Sequence, residues 1–303
     1  MSHFKIRTDL ALEARESVDE SAEELRGVSV EEFVNEKNEI KVTRVMIESK
    51  NSARILGKPI GTYVTIEAPA MAQPDPEYHK EISKELAGQL RDMIPGITKE
   101  LSLLIVGLGN RDVTADALGP NVVDNMVITR HMLKEFGKAV YPEKEKVHMV
   151  SALVPGVMAK TDMESAEIIK GVTEMTKPDA VLVIDALAAR STKRLNRTIQ
   201  ITNTGIHPGS GVGNHRNCIT QESIGVPVIA IGVPTVVDAA TIVSDATERL
   251  LGSMKEQFPK LQEEIQSSMG EFYNMYVTGK DVDYEIKQIS HIICDALQTV
   301  LEV

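Results

Sequence analysis

The sequence predicts a three-layer α/β/α fold with a largely parallel central sheet, preceded by an antiparallel β segment. Three observations lead there. Beyond residue 98, short continuous apolar runs alternate with amphipathic helical stretches, the pattern of parallel strands covered on both faces. Before residue 68, β-type runs are separated by a polar cluster, the pattern of a hairpin. A proline-rich joint, Pro69 to Pro76, divides the two regions.

The elements follow in order. Residues 1–26 are polar and acidic, with helical turns near Ala14 and near Glu23-Glu24-Leu25. Val28, Val30 and Phe33 suggest a first strand, Ile40 to Ile47 a second and Tyr63 to Ile66 a third. Asn35-Glu36-Lys37-Asn38 is the loop between the first two, which makes antiparallel pairing the economical assignment. Tyr78, Ile82, Leu86 and Leu90 recur at helical spacing until Pro95-Gly96 stops the helix. Leu101 to Val106, Val147 to Val150, Val181 to Ile184 and Val228 to Ile231 read as buried strands. Between them, helices are expected from Pro120 through Leu133, from Glu164 to Met175 and from Ala239 to Leu251. A final amphipathic helix carries Ile286, Ile289, Ile293 and Leu297 and must dock on the body or on another subunit. The whole reads as one domain over 1–303, with a β-rich part at about 27–68, an α/β core at about 98–252 and a C-terminal helix at about 281–302.

At 303 residues and 42% hydrophobic content, such a chain can bury a sizeable core without disulfides or a structural metal. The net charge is −11, from 44 acidic and 33 basic residues, which opposes direct nucleic-acid binding and suits a basic protein partner. The two cysteines, Cys218 and Cys294, form no CxxC and can build neither a disulfide scaffold nor a zinc knuckle. Cys294 falls on an apolar helical stretch and is expected in the core. The start of the chain lacks an apolar leader and no run reaches transmembrane length, so a cytoplasmic location with no membrane contact is expected.

In an open parallel sheet, ligands gather at the carboxyl ends of the strands. Four segments stand out: Gly107 to Pro120, Asp185 to Arg190, Gly232 to Asp238, and the glycine-rich Gly205 to Asn214. A dinucleotide fingerprint fails in the first, because Asp112 occupies its third glycine position and would face a pyrophosphate. The second glycine loop is not followed by a Walker Gly-Lys-Ser/Thr. No cofactor is therefore expected. Asp116 precedes a helix and Asp185 ends an apolar strand. If the strands are near neighbours, both carboxylates face one crevice, share one proton and divide the roles of base and acid. Two structural readings compete: Asp116 as a helix cap, and Asp185 paired to Arg190 or Arg194. His207 could complete an O,O,N metal site with Asp116 and Asp185. His131 and His215 have no metal spacing.

The segments Ile6 to Ala14, Val106 to Asn110, Thr114 to Pro120, Thr129-Arg130-His131, Val154 to Met158, Ile184 to Arg190, Gly205 to Asn214 and Ile231 to Ala239 together resemble the bacterial spore germination proteases across nearly the whole chain. The resemblance implies an aspartic-type endopeptidase that degrades small acid-soluble spore proteins in the spore core. It also implies a homotetramer made as a zymogen and a fold similar to the hydrogenase-maturation endopeptidases. The family's two aspartates carry over onto Asp116 and Asp185. Gly107, Gly109, Asn110, His207 and Gly209 are expected to bind substrate or the oxyanion. The nickel site of the maturation enzymes keeps Asp116, Asp185 and His207 as a metal-dependent alternative; a non-catalytic binder of a basic partner is the third. Two departures stand out. Only a short segment precedes Ile6, with Phe4-Lys5 as the candidate processing point, and the region from about 252 to 275 is shorter than the family pattern.

Overall fold

The computed structural model describes residues 8–18, 26–208, 217–251, 272 and 275–302. Among them nine strands form a single sheet: β1 (Val28–Asn35), β2 (Ile40–Ile47), β3 (Gly61–Glu67), β4 (Ser102–Gly107), β5 (Met149–Leu153), β6 (Ala180–Ala189), β7 (Thr198–Thr202), β8 (Val228–Asp238) and β9 (Tyr276–Val277). The helices are α1 (Ala11–Glu16), α2 (Lys50–Leu56), α3 (Pro76–Met93), α4 (Leu118–Asn125), α5 (Arg130–Phe136), α6 (Met158–Thr161), α7 (Ser165–Thr176), α8 (Gln221–Ile224), α9 (Ala239–Leu251) and α10 (Val282–Leu301).

The strand order is β1-β2-β3-β7-β8-β6-β4-β5, with β9 on the end of β8. The expectation of a largely parallel sheet needs correction. The pairs β4–β5, β4–β6 and β6–β8 are parallel, whereas β1–β2, β2–β3, β3–β7, β7–β8 and β8–β9 are antiparallel. The sheet is mixed, and the N-terminal hairpins belong to it. The join is β7, Thr198-Ile199-Gln200-Ile201-Thr202, whose residues pair with β3 on one side and β8 on the other. Sequence reading missed β7 because its five residues carry two apolar side chains among polar ones, a weak signal that burial on both edges overrides.

Alternation along the strands separates two cores. Leu103, Ile105, Leu182, Ile184, Ile229 and Ile231 join Ile82, Leu86 and Leu90 of α3, Leu118 and Val122 of α4 and Ile289, Ile293 and Leu297 of α10. Leu104, Val106, Val181, Val183 and Val228 face Ala166 and Ile169 of α7. Each completely buried Leu or Ile contributes about 1.5–3 kcal/mol over its exposed state. The C-terminal helix docks on the body, as one of the two expected alternatives, and Cys294 lies in that core. Asp75 caps α3, accepting from the N–H groups of Glu77 and Tyr78, with Pro76 in the first turn. The helix expected from Pro120 through Leu133 is two helices: Met126 leaves helical geometry, and Thr129 Oγ1 instead accepts from Val150 N at 2.8 Å and donates to His148 O at 2.6 Å.

His148 is completely buried, and its Nδ1 accepts the Leu101 N–H at 3.1 Å, so the ring holds its proton on Nε2. Burial, and then the charge of Lys146, push its pKa below the ordinary 6.5, against the pull of Glu302 and Glu100. The unfolded chain therefore takes up a proton near pH 6.5 that the folded chain refuses until lower pH, and stability drains away as pH falls below 6.5. The loss is roughly 1.4 kcal/mol for each tenfold difference in proton affinity. Urea midpoints measured from pH 7.5 down to 5 are expected to fall more steeply for the wild type than for His148→Asn, which keeps an acceptor for Leu101 but cannot titrate.

Candidate active site

The site begins where β4 ends. Gly107 pairs with Ile184, and Leu108 N donates to Ile184 O at 2.8 Å as the last rung between these strands. The chain then turns back on itself. Asn110 N donates to Asp116 O at 3.0 Å and Asp116 N to Val113 O at 2.8 Å, so residues 110–116 form a closed loop ending in a short 3₁₀ turn, Thr114–Asp116. Two glycines make this possible. Gly109 has φ +116°, a left-handed conformation, and a Cβ there would overlap the Asp116 carbonyl oxygen. At Gly119 a Cβ would lie 2.6 Å from the Ile184 oxygen and closer still to that of Leu108. Asp116 is thus held against the middle of β6 by backbone packed on backbone. Ala117, not Asp116, occupies the position ahead of α4, so the helix-cap reading of Asp116 fails.

Asp185 was expected at a strand terminus, but β6 continues to Ala189. What ends there is β4, so Asp185 stands at a step in the sheet. It pairs across β8 with Gly232, is 7% exposed, and its Oδ1 accepts from Ala186 N at 2.9 Å. Farther along, Leu187 pairs with Pro234 and Ala188 with Val236, which leaves Thr235 as the extra residue of a β-bulge. A cavity of about 510 Å³ opens at this step, and both Asp116 and Asp185 line it. The proposed pairing of Asp185 with Arg194 is not what Arg194 does: its guanidinium binds Glu16 through two 2.7 Å bonds and Glu67 at 3.0 Å, with Glu13 at 3.5 Å.

Of the other expected residues, Gly109 and His207 line the same cavity. Gly107 and Asn110 do not line it. Gly107 is buried in the ladder beneath Gly119, and Asn110 closes the 110–116 loop. Gly209, His215 and the candidate processing point Phe4-Lys5 lie outside the described residues, as does most of the 252–275 region. Partial burial and the neighbouring Lys58 lower the His207 pKa, against the opposing pull of Asp9, so the ring is biased toward neutrality. Its Nδ1 lies 2.9 Å from the Cys218 sulfur. Among the described residues no three His, Cys, Asp or Glu side chains are grouped to hold a metal ion.

Sequence reasoning missed a second wall of the cavity, made by Asp9, Lys58, Tyr63 and Gln200. Residues 8–16 lie across the ends of β6 and β7. Asp9 N donates to Ala188 O at 3.0 Å, Ala188 N to Asp9 Oδ2 at 2.9 Å, and Ala11 N to Gln200 Oε1 at 2.7 Å. Glu13, 2% exposed, accepts from Arg190 N at 2.7 Å and Ser191 N at 3.0 Å. The Tyr63 hydroxyl donates to Pro59 O at 2.9 Å, and burial raises its pKa to about 12. The sequence signals for this wall include Leu10 and Leu12, both buried, within the Ile6 to Ala14 segment.

The cavity thus opens at a step among parallel strands, lined by one aspartate from a turn and one from within β6. Comparison with known proteins identifies the family. The germination protease family profile matches residues 6–268. A germination protease of Caldanaerobacter subterraneus subsp. tengcongensis is 46% identical, covering 98% of this chain and 94% of its own. One from Clostridium perfringens is 42% identical over 99% of this chain and 96% of its own, and one from Bacillus cereus 47% identical over 83% and 68%. A solved NiFe hydrogenase maturation protease from Thermococcus kodakarensis KOD1 overlays at a TM-score of 0.34 with 16% identity, covering 69% of this chain and 99% of that one. The chain belongs to the germination protease family and is an endopeptidase.

Gly119→Ala is expected to force main chain apart at the Asp116 turn. It should destabilise the fold by about 1–3 kcal/mol, an overpacking penalty, and cut peptide cleavage at least tenfold in the folded fraction. Gly88→Ala is the control: its Cβ in α3 meets nothing within 4 Å, and it should stabilise by about 0.5–1 kcal/mol with activity unchanged. Denaturant titration and a cleavage assay on both variants check the contrast.

Proposed function

We propose that this enzyme degrades small acid-soluble spore proteins by an aspartic-type mechanism in which Asp116 and Asp185 are the catalytic pair. One observation carries the reading: two carboxylates 69 positions apart in the sequence line one cavity, at the end of parallel strands where such sheets bind ligands. In this reading the two acids share a single proton at neutral pH, as closely placed carboxylate pairs do. The ionised carboxylate takes a proton from water as the oxygen attacks the peptide carbonyl. The protonated one donates to that carbonyl oxygen, and the collapsing intermediate passes a proton to the leaving amine. Gly109 and His207, on the cavity wall, are the candidates for binding substrate or the oxyanion; Gly107 and Asn110 act by holding the turn. Cleavage needs no cofactor in this reading.

Family kinship supports spore proteins as the substrate. The spore core as the place of action, a homotetramer and a zymogen stage are proposed from the resemblance in sequence. The net charge of −11 fits a protein partner better than nucleic acid, and no helix among the described residues is long and apolar enough to cross a membrane. The metal-dependent alternative with Asp116, Asp185 and His207 has less support, because those residues are not grouped as a three-ligand site. Residues 27–68, 98–252 and 281–302 act as one catalytic domain in this proposal.

Asp116→Asn and Asp185→Asn are each expected to remain folded, with a thermal midpoint near that of the wild type. Each should lose cleavage of small acid-soluble spore proteins by about 10³-fold or more, the scale of removing an acid or base together with its charge. Full cleavage by either variant defeats the dyad. Activity abolished by chelation and restored by a divalent ion would transfer the role to the metal reading.

A further inference from the structure

β6 runs four residues past Asp185, and its two edges have different neighbours there. One edge stays paired with β8 through Ala189. On the other, Ile184 accepts from Leu108 N, and Ala188 exchanges two hydrogen bonds with Asp9. Ala186 lies between them. Groups on alternate residues of a strand point to the same edge, so the Ala186 carbonyl turns toward the side on which Ile184 and Ala188 are paired. At that point β4 has ended and the Asp9 segment has not begun. Ala186 lines the cavity, and its N–H is turned to Asp185 Oδ1. The result is a short length of strand edge beside the catalytic pair, bounded by Leu108 at one end and Asp9 at the other.

The Asp9 end is held by a group with no role so far. The Lys58 ammonium donates to Asp9 O at 2.9 Å and to Thr8 O at 3.2 Å, and Gln200 Nε2 adds a third bond to Asp9 O at 3.2 Å. Burial lowers the Lys58 pKa, while the Asp9 and Glu13 carboxylates raise it. A lysine whose bonds go to main-chain carbonyls of a distant segment, on a cavity wall, fixes where that segment lies.

We propose that the β6 edge at Ala186 is the slot that binds the main chain of an extended peptide substrate, and that Lys58 is a positioning residue that sets the slot's far end by fixing Thr8 and Asp9. The proposal rests on Asp116 and Asp185 being the catalytic pair. Adding a strand to an open edge recognises backbone rather than side chains, which suits substrates presented as unfolded or extended chain. A substrate N–H donates to Ala186 O and brings the adjoining peptide bond beside Asp185. Lys58 acts only through the main chain of residues 8 and 9.

The test combines two variants, Lys58→Met and Lys58→Arg, with a series of peptide substrates each N-methylated at one amide. Lys58→Met is expected to raise KM about tenfold with kcat within about threefold, and Lys58→Arg to recover most of the loss, since one main-chain hydrogen bond network is at stake. In the wild type, methylation of one amide outside the scissile bond should raise KM similarly, and that penalty should shrink in Lys58→Met. Wild-type KM in Lys58→Met, or tolerance of methylation at every non-scissile amide, overturns the proposal. If Lys58→Met does not fold, the methylation series on the wild-type enzyme decides alone. Peptide binding to Asp116→Asn separates the two readings: full cleavage by that variant defeats the catalytic pair, whereas inert Asp116→Asn that binds methylated and unmethylated peptides equally defeats the slot.

Discussion

The site depends on a contact between backbones. The turn after β4, the first residues of α4 and the middle of β6 approach so closely at Gly109 and Gly119 that no side chain fits between them. A carboxylate on a flexible loop samples many positions and pays a large entropic penalty for each productive one. Here the loop carrying Asp116 is closed by its own hydrogen bonds and pressed onto Ile184, the residue just before Asp185. The separation of the two residues' main chains is therefore set by backbone packing. Close packing brings two sequence-distant residues to one cavity.

The second wall is built differently. Residues 8–16 enter as an added edge to β6, and a cluster of charges holds them: Arg194 gathers Glu13, Glu16 and Glu67, while Glu13 also takes two main-chain N–H groups. A buried carboxylate is tolerated when its acceptor capacity is filled, and Glu13 meets that condition. Lys58 and Gln200 then fix the main chain of Asp9 from the opposite side. The N-terminal segment is thus part of the cavity rather than an appendage, and its stability is tied to that of the sheet ends it covers.

Much of this was legible in the sequence. The strands Leu101–Val106, Val181–Ile184 and Val228–Ile231 announce themselves as apolar runs; Asp185 stands out as a carboxylate at the end of such a run, and Asp116 as one just ahead of a helix. The less legible parts are those whose local signal is weak or contradicted. β7 alternates threonine and isoleucine about a central glutamine, a strand pattern so short that it does not show which strands it joins. The break between α4 and α5 is made by Thr129 bonding to β5 neighbours, a tertiary interaction with no sequence signature. Lys58 follows a helix and precedes a proline, where a lysine looks like an ordinary surface residue.

Sequence alone determined the alternation of buried strands with amphipathic helices, the acidic balance and the family, and it named the two aspartates as candidates, because apolar periodicity and residue chemistry are local properties. Tertiary structure decided that the sheet is mixed, that β7 fuses the N-terminal hairpins to the parallel strands, and that Asp9, Lys58 and Gln200 face the same cavity as the aspartates. These are matters of which strand edges meet and which distant segments fill the step between them. Main-chain hydrogen bonds make those choices with nearly every residue type, and so leave almost no mark on the order of the amino acids.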